Sequence, residues 1–471
     1  MNHRNPLLAI LAMASLLGAC ATQTYEAKPI DPARLSDSFG QRALDSAELH
    51  DYMLAQGYPE NTFPIKQWGL HELTLAAFLY NPQLDVARAQ WRAAQAAEVT
   101  AGQKPNPGIL GTLEHHSQTD GGISPWTYGI SFAVPVETGG KRQARMDQAA
   151  SLSEAVRIDI GISAWQVRSQ LRDSLLEYQA ALRQTSLLQH EVALHEEIVQ
   201  MLEKRQRAGL ASSMELNNAR LQLQKTWHAV EAAKDRMAGL RAALAVAIGV
   251  PVSALDGVQF DTALLDRAMA ADSLSAESIR RIGLLNRLDI RSALARYAAA
   301  EASLRLEIAR QYPDITLAPG YLWDQGDVQW LLGLSTLLTL NNKNEGPIAE
   351  ARAARELQAS QFNALQVRVI GEMEQSLVNH RAGTHRVDKT RELLTTQQQR
   401  ATQAERQFEA GHTDRLELTQ ARLETLAAEQ GVLEAEIHAQ RALNALEDAV
   451  QRPLDGSAPL PEIPQEIFPN E

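Results

Sequence analysis

The chain has 471 residues, a formal net charge of -12, 12 histidines and 1 cysteine. That acidity argues against nucleic acid as a partner, and a single cysteine excludes a disulfide within the chain. No run of eighteen apolar residues occurs, so no transmembrane helix is expected. No Ser/His/Asp order, HExxH or paired-cysteine pattern points to an enzyme or a zinc site.

At the N-terminus Arg4 gives a small positive region, Leu7 to Gly18 an apolar stretch, and Leu17-Gly18-Ala19-Cys20 follows. These are the proportions of a secretory signal ending at a cysteine. The segment resembles a bacterial lipobox, which implies removal of residues 1–19 and a covalent lipid on Cys20. No other cofactor is expected. Ala21 follows the cysteine, with no Asp to suggest retention at the inner membrane, which favours the outer one. Residues 20–64 read as an anchoring segment with little pattern of their own.

Residues 65–254 form a first unit. An Ala-rich helix is expected from about Asn81 to Gly102, closed by Pro105 and Pro107. A weak strand follows from about Ile109 to His115, then a loop at Thr119-Asp120-Gly121-Gly122. The next strand places Trp126, Tyr128, Ile130, Phe132, Val134 and Val136 on one face, and Thr127, Gly129, Ser131 and Ala133 on the other. From about Arg142 to Gln206 there is no proline and only one glycine, Gly161, so one very long helix is expected. A turn at Ala208 to Ser213 leads into a return helix ending near Ile248. Its Leu216, Leu223, Val230, Met237 and Leu244 recur every seven residues, the period of a left-handed coiled coil.

After a linker (255–285), residues 286–453 repeat the unit. Ala208-Gly209 returns as Ala410-Gly411, Ala219-Arg220-Leu221 as Ala421-Arg422-Leu423, and Pro251 as Pro453, each offset by 202. Leu84-Asp85-Val86 returns as Leu288-Asp289-Ile290. Strands are expected at Ile315 to Trp323 and Val328 to Ser335. A long helix from about Ile348 to Glu409 leads to a turn at Gly411 to Asp414. The second seam is Leu418, Thr425, Val432, Ala439 and Leu446, with alanine three residues after each. A Pro-rich tail occupies 454–471. The period is far too long for a solenoid; the pattern is a tandem duplication within one elongated protomer.

Each strand is about ten residues long, enough to cross a bilayer when tilted. A soluble sheet with one buried face shows the same alternation. Four strands cannot close a barrel, and an open edge cannot sit in lipid. If the strands span a membrane, several chains share one barrel.

Taken together, the duplication, Asn81-Pro82 with Leu84, Pro105-Asn106-Pro107, the segment from Val134-Pro135-Val136-Glu137-Thr138-Gly139-Gly140-Lys141-Arg142 to Arg145, and the two Ala-Gly tips resemble the TolC family of outer-membrane efflux ducts. That resemblance implies a mainly α fold with a small β part. Tandem-duplicated helical hairpins would form a trimeric α-barrel, and four strands per chain would share a twelve-stranded transmembrane β-barrel. It implies a homotrimer in outer-membrane lipid, reaching into the periplasm. Its partners would be a periplasmic adaptor and an inner-membrane pump of the resistance-nodulation-division type. The tips, with Gly209, Leu210, Ser212, Gly411, His412 and Thr413, would contact the adaptor. Asp414, then Glu417 and Glu215, are candidates for a periplasmic gate of carboxylates that favours cations. Residues 20–64 and the tail would pack outside the helical barrel near its equator. Val134 to Arg145 looks most like the heavy-metal efflux branch (the CzcC type), which makes metal cations the expected cargo.

A duct for drug efflux or type I protein secretion, and a non-conducting periplasmic coiled-coil lipoprotein, are the alternatives. Gly139-Gly140-Lys141 lacks the spacing of a phosphate loop and reads as a strand-to-helix turn. His115 and His116 are adjacent on a strand, so they face opposite ways and no metal site is expected there.

Overall fold

A computed structural model of the chain describes residues 23–119, 121–261, 275–338 and 341–454. The expected signal segment, Cys20, part of the linker (262–274) and the tail from 455 lie outside the described residues. Residues up to Arg42 form a unit of their own. In it, helix α1 (Pro32–Gly40) starts at Asp31, whose carboxylate accepts from the N–H groups of Ala33 and Arg34.

From Ala43 onward the chain builds the expected unit twice. The first copy comprises α2 (Ala47–Ala55), α3 (Leu70–Tyr80), α4 (Pro82–Gly102), β1 (Gly108–His115), β2 (Trp126–Val136), α5 (Lys141–Arg207) and α6 (Ser213–Ile248). The second comprises α7 (Ala276–Asn286), α8 (Leu288–Ala309), β3 (Ile315–Asp324), β4 (Asp327–Thr336), α9 (Glu345–Glu409) and α10 (Arg415–Val450). The long helices α5 and α9 have 67 and 65 residues, and the return helices α6 and α10 have 36 each. At 1.5 Å per residue α5 alone reaches roughly 100 Å.

Two apolar cores sit part-way along the long helices, and they correspond residue by residue. In the first, Val167, Leu171 and Leu175 of α5 meet Leu244 and Ile248 of α6 together with Leu73 and Phe78 of α3. In the second, Val369, Met373 and Leu377 of α9 meet Leu446 and Val450 of α10 together with Ile279 of α7. The residues of the long and return helices are again offset by 202. The polar anchors match as well: Asn81 Nδ2 donates to Ala247 O at 3.0 Å, and Arg287 Nη1 to Ala449 O at 2.8 Å. The first copy carries an addition, because Leu49 and Met53 of α2 also enter its core. Trp68 there pairs with Phe260 in a short parallel bridge.

The expected heptad seams are the packed faces of the return helices. Leu216, Val230 and Leu244 are buried, as are Leu418, Val432 and Leu446, and the other seam positions are half-buried. Each return helix packs on its own long helix, and α10 also packs on α5. Toward the tips the helices therefore lie in the order α6, α5, α10, α9. Toward the strands the order is α4, α5, α8, α9. The strands form one antiparallel sheet, β1-β2-β3-β4. Among the described residues, β1 and β4 each pair on one side only.

Candidate functional site

Alternation along the strands gives the sheet two different faces, and the observed register keeps them separate across all four strands. Trp126 pairs with His115, Tyr128 with Leu113 and Trp323, Tyr321 with Trp330, and Leu317 with Leu334. One face is therefore continuous in Ile109, Leu113, Tyr128, Ile130, Phe132, Val134, Leu317, Tyr321, Trp330, Leu332 and Leu334. It points away from any core: Trp330 is 82% and Leu332 78% exposed. The other face carries Thr112, Glu114, Thr127, Gly129, Ser131, Ala133, Thr316, Ala318, Gly320, Asp324, Gln329 and Gly333, with Leu110, Leu322 and Leu331 as its larger apolar members. The aromatic residues collect at the end of the sheet distal to the helices. There Tyr128 stacks on Trp323 at 4.7 Å between ring centroids, and Tyr321 meets Trp330 edge-on at 5.3 Å. An apolar outer face with aromatic residues at its rim and a small, polar inner face is the pattern of a membrane barrel wall.

His115 and His116 part company as expected. The His115 ring meets Trp126 at 4.6 Å, whereas His116 Nε2 bonds to Thr127 Oγ1 at 3.1 Å. Among the described residues no group of three or more His, Cys, Asp or Glu is placed to hold a metal ion.

Where strands meet helices, the motif from Val134 to Arg145 becomes a clamp. Gly139 and Gly140 both take positive φ, at 67° and 74°, which turns β2 directly into α5. Lys141 Nζ then donates to Asp314 Oδ1 at 2.7 Å, and Arg145 reaches back to Glu137 at 2.8 Å. Both ion pairs tie the start of α5 to the sheet.

Further along, α5 and α10 share a buried ionic cluster. Arg172, 1% exposed, donates to Glu447 Oε2 at 2.8 Å and to Asp448 Oδ2 at 2.9 Å. Trp165 Nε1 and Ser169 Oγ also donate to Asp448. Burial by itself lowers the Arg172 pKa, but Asp448, Asp173 and Glu447 more than offset it and leave the guanidinium raised. Sequence reasoning missed this cluster, because charges on a long helix ordinarily face solvent. The available signal was the repeat itself: Glu447 and Asp448 stand where the first copy has Ala245 and Val246.

The two tips are built alike. Gly209 and Gly411 adopt φ of 74° and 75°. Leu210 N–H then donates to Arg205 O and His412 N–H to Gln407 O, closing each long helix with a left-handed cap. Ser212 caps α6 in a reciprocal box with Glu215, and Asp414 caps α10 by accepting from Glu417 N–H at 3.0 Å. Gly209, Leu210, Ser212, Gly411 and His412 are exposed, Leu210 by 78%. Thr413, expected among the adaptor contacts, differs from the others: it is half-buried, with its Oγ1 shielded. It sits just before the cap, where its counterpart Ala211 packs on the apolar cluster of Ile198, Val199, Leu202 and Leu216.

Of the three candidate gate carboxylates, Asp414 and Glu417 share the second tip and Glu215 stands at the first. Glu215 belongs to the first tip, where the backbone and hydroxyl of Ser212 hold its pKa down. Asp414 belongs to the second and also accepts from Arg205 Nη2 at 2.6 Å, and that bond, with its cap bond, lowers its pKa. Glu417 is exposed beside it. A second link joins the hairpins: Arg415 Nε donates to Glu197 Oε1 at 2.5 Å.

A two-faced transmembrane sheet with open edges, carried on long coiled-coil hairpins, defines the class of outer-membrane channel proteins. Residues 76–250 and 282–450 match the family model described as outer membrane efflux protein, and the chain belongs to that family. It is 24% identical over 330 residues to the pyoverdine export outer membrane protein OpmQ of Pseudomonas aeruginosa, a match covering 66% of each chain. The chain thus spans about two thirds of the length of that curated relative. Its fold is similar to that of the outer membrane protein VceC of Vibrio cholerae, with TM-score 0.65, 20% identity and coverage of 81% of this chain and 95% of that one. It is also similar to the CmeC outer membrane channel of Campylobacter jejuni, with TM-score 0.63, 15% identity and coverage of 92% and 90%. OpmQ is an export protein and CmeC a channel, and the family is one of outer membrane efflux proteins, not enzymes.

Proposed function

We propose that the chain is one protomer of a homotrimeric outer-membrane conduit in a tripartite efflux system. The carrying observation is the four-stranded sheet, apolar on its exposed face and unpaired at both edges. Such edges are costly in lipid and require neighbours. Three copies would close a barrel of twelve strands, and the helices below would line a water-filled passage. A lipid on Cys20 would hold the chain to the inner leaflet of the outer membrane.

The exposed tips around Leu210 and His412 are the surface for a periplasmic adaptor, which would couple the conduit to an inner-membrane pump. Asp414 serves there as a latch: its bridge to Arg205 ties the second hairpin to the first and keeps the periplasmic end narrow. Glu417 and Glu215 would add negative charge to the entrance.

Two cargo readings follow from different observations. The segment from Val134 to Arg145 supports metal cations; the similarity to OpmQ supports a small secreted organic molecule.

The test is reconstitution of the purified lipoprotein. A heat-modifiable trimer with stepwise conductance in planar bilayers is the expected result. A monomer or dimer without conductance would leave the periplasmic coiled-coil lipoprotein as the better account.

A further inference from the structure

Formal charge is spread unevenly between the two ends of the sheet. Residues 105–140 and 311–342, which hold the four strands, contain no lysine or arginine. At the end distal to the helices, one cross-strand row runs Glu114, Thr127, Asp324, Asp327. At the opposite end every junction with a helix brings a cation. Lys104 stands before β1, Arg142 after β2, Arg310 before β3 and Lys343 after β4.

Hydrogen bonds hold the four junctions at one level. Arg145 Nε donates to Ala101 O at 3.0 Å, which ties the start of α5 to the end of α4 beside Lys104. Thr138 Oγ1 donates to Pro313 O at 2.7 Å, next to the pair of Lys141 and Asp314. Asn344 Nδ2 donates to Glu307 O at 2.8 Å, which ties the start of α9 to the end of α8. The acids of this level are largely matched already: Glu137 by Arg145, Glu307 by Arg310 and Asp314 by Lys141. Glu345 lies in the first turn of α9, where the helix dipole favours an acid. Lys104, Arg142 and Lys343 have no ion-pair partner among the described residues. Arg142 stands in the first turn of α5 and Lys343 just before that of α9. Both face the positive end of a helix dipole, so the local fold does not favour cations there.

We infer that Lys104, Arg142 and Lys343 form a cationic belt that binds the headgroup phosphates of the periplasmic leaflet. This rests on the reading of the sheet as a membrane barrel wall, and it adds the wall's lipid contacts. Position and charge both point to phosphate. The belt lies immediately below the apolar face, where hydrocarbon gives way to headgroups. Lysine and arginine stems are long enough to carry their charge to that boundary. Tyr312 and Leu337, at the same junctions, are 59% and 84% exposed and supply aromatic and aliphatic anchors there. A phosphate provides the anion that the acids of the chain leave unsupplied. The carboxylate row at the far end has the opposite sign and does not attract the same headgroup, so the sheet carries a polarity that tells the two leaflets apart.

Spin-labelled lipids test the belt on the purified full-length protein reconstituted in phosphatidylcholine. Spin-labelled phosphatidylglycerol should be held at the protein surface several-fold more strongly than spin-labelled phosphatidylcholine, since each lysine or arginine near an anionic surface shifts its association about fivefold. The K104Q/R142Q/K343Q variant should lose that preference and keep the wild-type reversal potential in a salt gradient. An E114Q/D327N variant should retain the preference. Molar salt should abolish it in the wild type, and this arm decides the matter if the triple variant does not assemble. Equal retention of the two lipids by the wild type would overturn the belt, as would a preference that survives molar salt or the triple substitution. A reversal potential that moves while the lipid preference stays would place the cations in the lumen and also overturn it. No immobilised lipid of either kind would sink the membrane-wall reading itself, which separates that failure from the failure of the belt.

Discussion

At the scale of single residues, two ionic contacts between the same helices differ in how much they hold. Arg172 is buried against two carboxylates, and removing it leaves Glu447, 4% exposed, with the more distant Arg168 at 3.7 Å as its ion-pair partner. Breaking a buried pair outright costs about 3–5 kcal/mol, and Arg168 offsets part of that here; Arg172→Met should still reduce assembled protein, measured as heat-modifiable trimer in outer-membrane fractions. Arg205 and Asp414 meet in water, where a pair is worth about 0–1 kcal/mol, and that contact is suited to opening. Asp414→Ala should leave assembly intact and raise single-channel conductance at neutral pH. Unchanged conductance would remove Asp414 from the gate. The pH response follows from the lowered Asp414 pKa. The bridge is fully present above the ordinary aspartate value and is lost as pH falls through the lower folded value. Wild-type conductance should therefore stay flat from neutral pH down to about 4 and rise only below it. A rise between pH 5 and 8 would point to a histidine instead.

At the scale of elements, the strand register makes adjacent residues opposite in role. Leu332 lies on the apolar outer face and Leu331 on the inner one. An arginine at mid-membrane on the lipid side costs about 2–4 kcal/mol, whereas one facing the lumen mainly changes selectivity. Leu332→Arg should lower the yield of folded trimer, while Leu331→Arg should insert normally and alter ion selectivity in bilayers. The reverse outcome would invert the faces. The strands were legible because Trp126 to Val136 alternates cleanly; β1 was faint because Gly108, Gly111 and Thr112 dilute its pattern. Helix ends were legible at Gly209 and Gly411, where a left-handed cap needs glycine. The second strand-to-helix turn was not, because Asn344 takes positive φ there in place of a glycine pair. The clamp of Lys141 on Asp314 was also hidden, since it joins residues 173 apart in sequence.

At the scale of the whole molecule, the duplication was the plainest signal in the sequence, and it organises cores, seams and tips alike. Cargo is the property it informs least, because what it repeats is architecture: cores, seams and caps. A deletion strain of the native host, grown on graded zinc, cobalt, cadmium, copper and silver beside dyes and antibiotics, separates the two cargo readings. Sensitivity confined to metals and restored by the intact gene would support metal efflux. Normal metal tolerance with sensitivity to organic compounds would favour the reading drawn from OpmQ.

The two copies of the unit differ where they meet their neighbours, Glu447 and Asp448 in one standing for Ala245 and Val246 in the other, and this bears on why the unit is duplicated within one chain. A ring of six identical single units would have six equivalent boundaries, all of which would yield to the same force. Fusing two diverged units lowers the symmetry from six-fold to three-fold and creates two kinds of boundary. One kind is held at its base by Arg172 and fastened at its tip by the Arg205–Asp414 bridge; at the corresponding places the other has Glu374, Gln407 and Ser212. Such a ring gains an alternation that one repeated unit cannot encode: three boundaries free to part at the mouth while three keep the wall sealed.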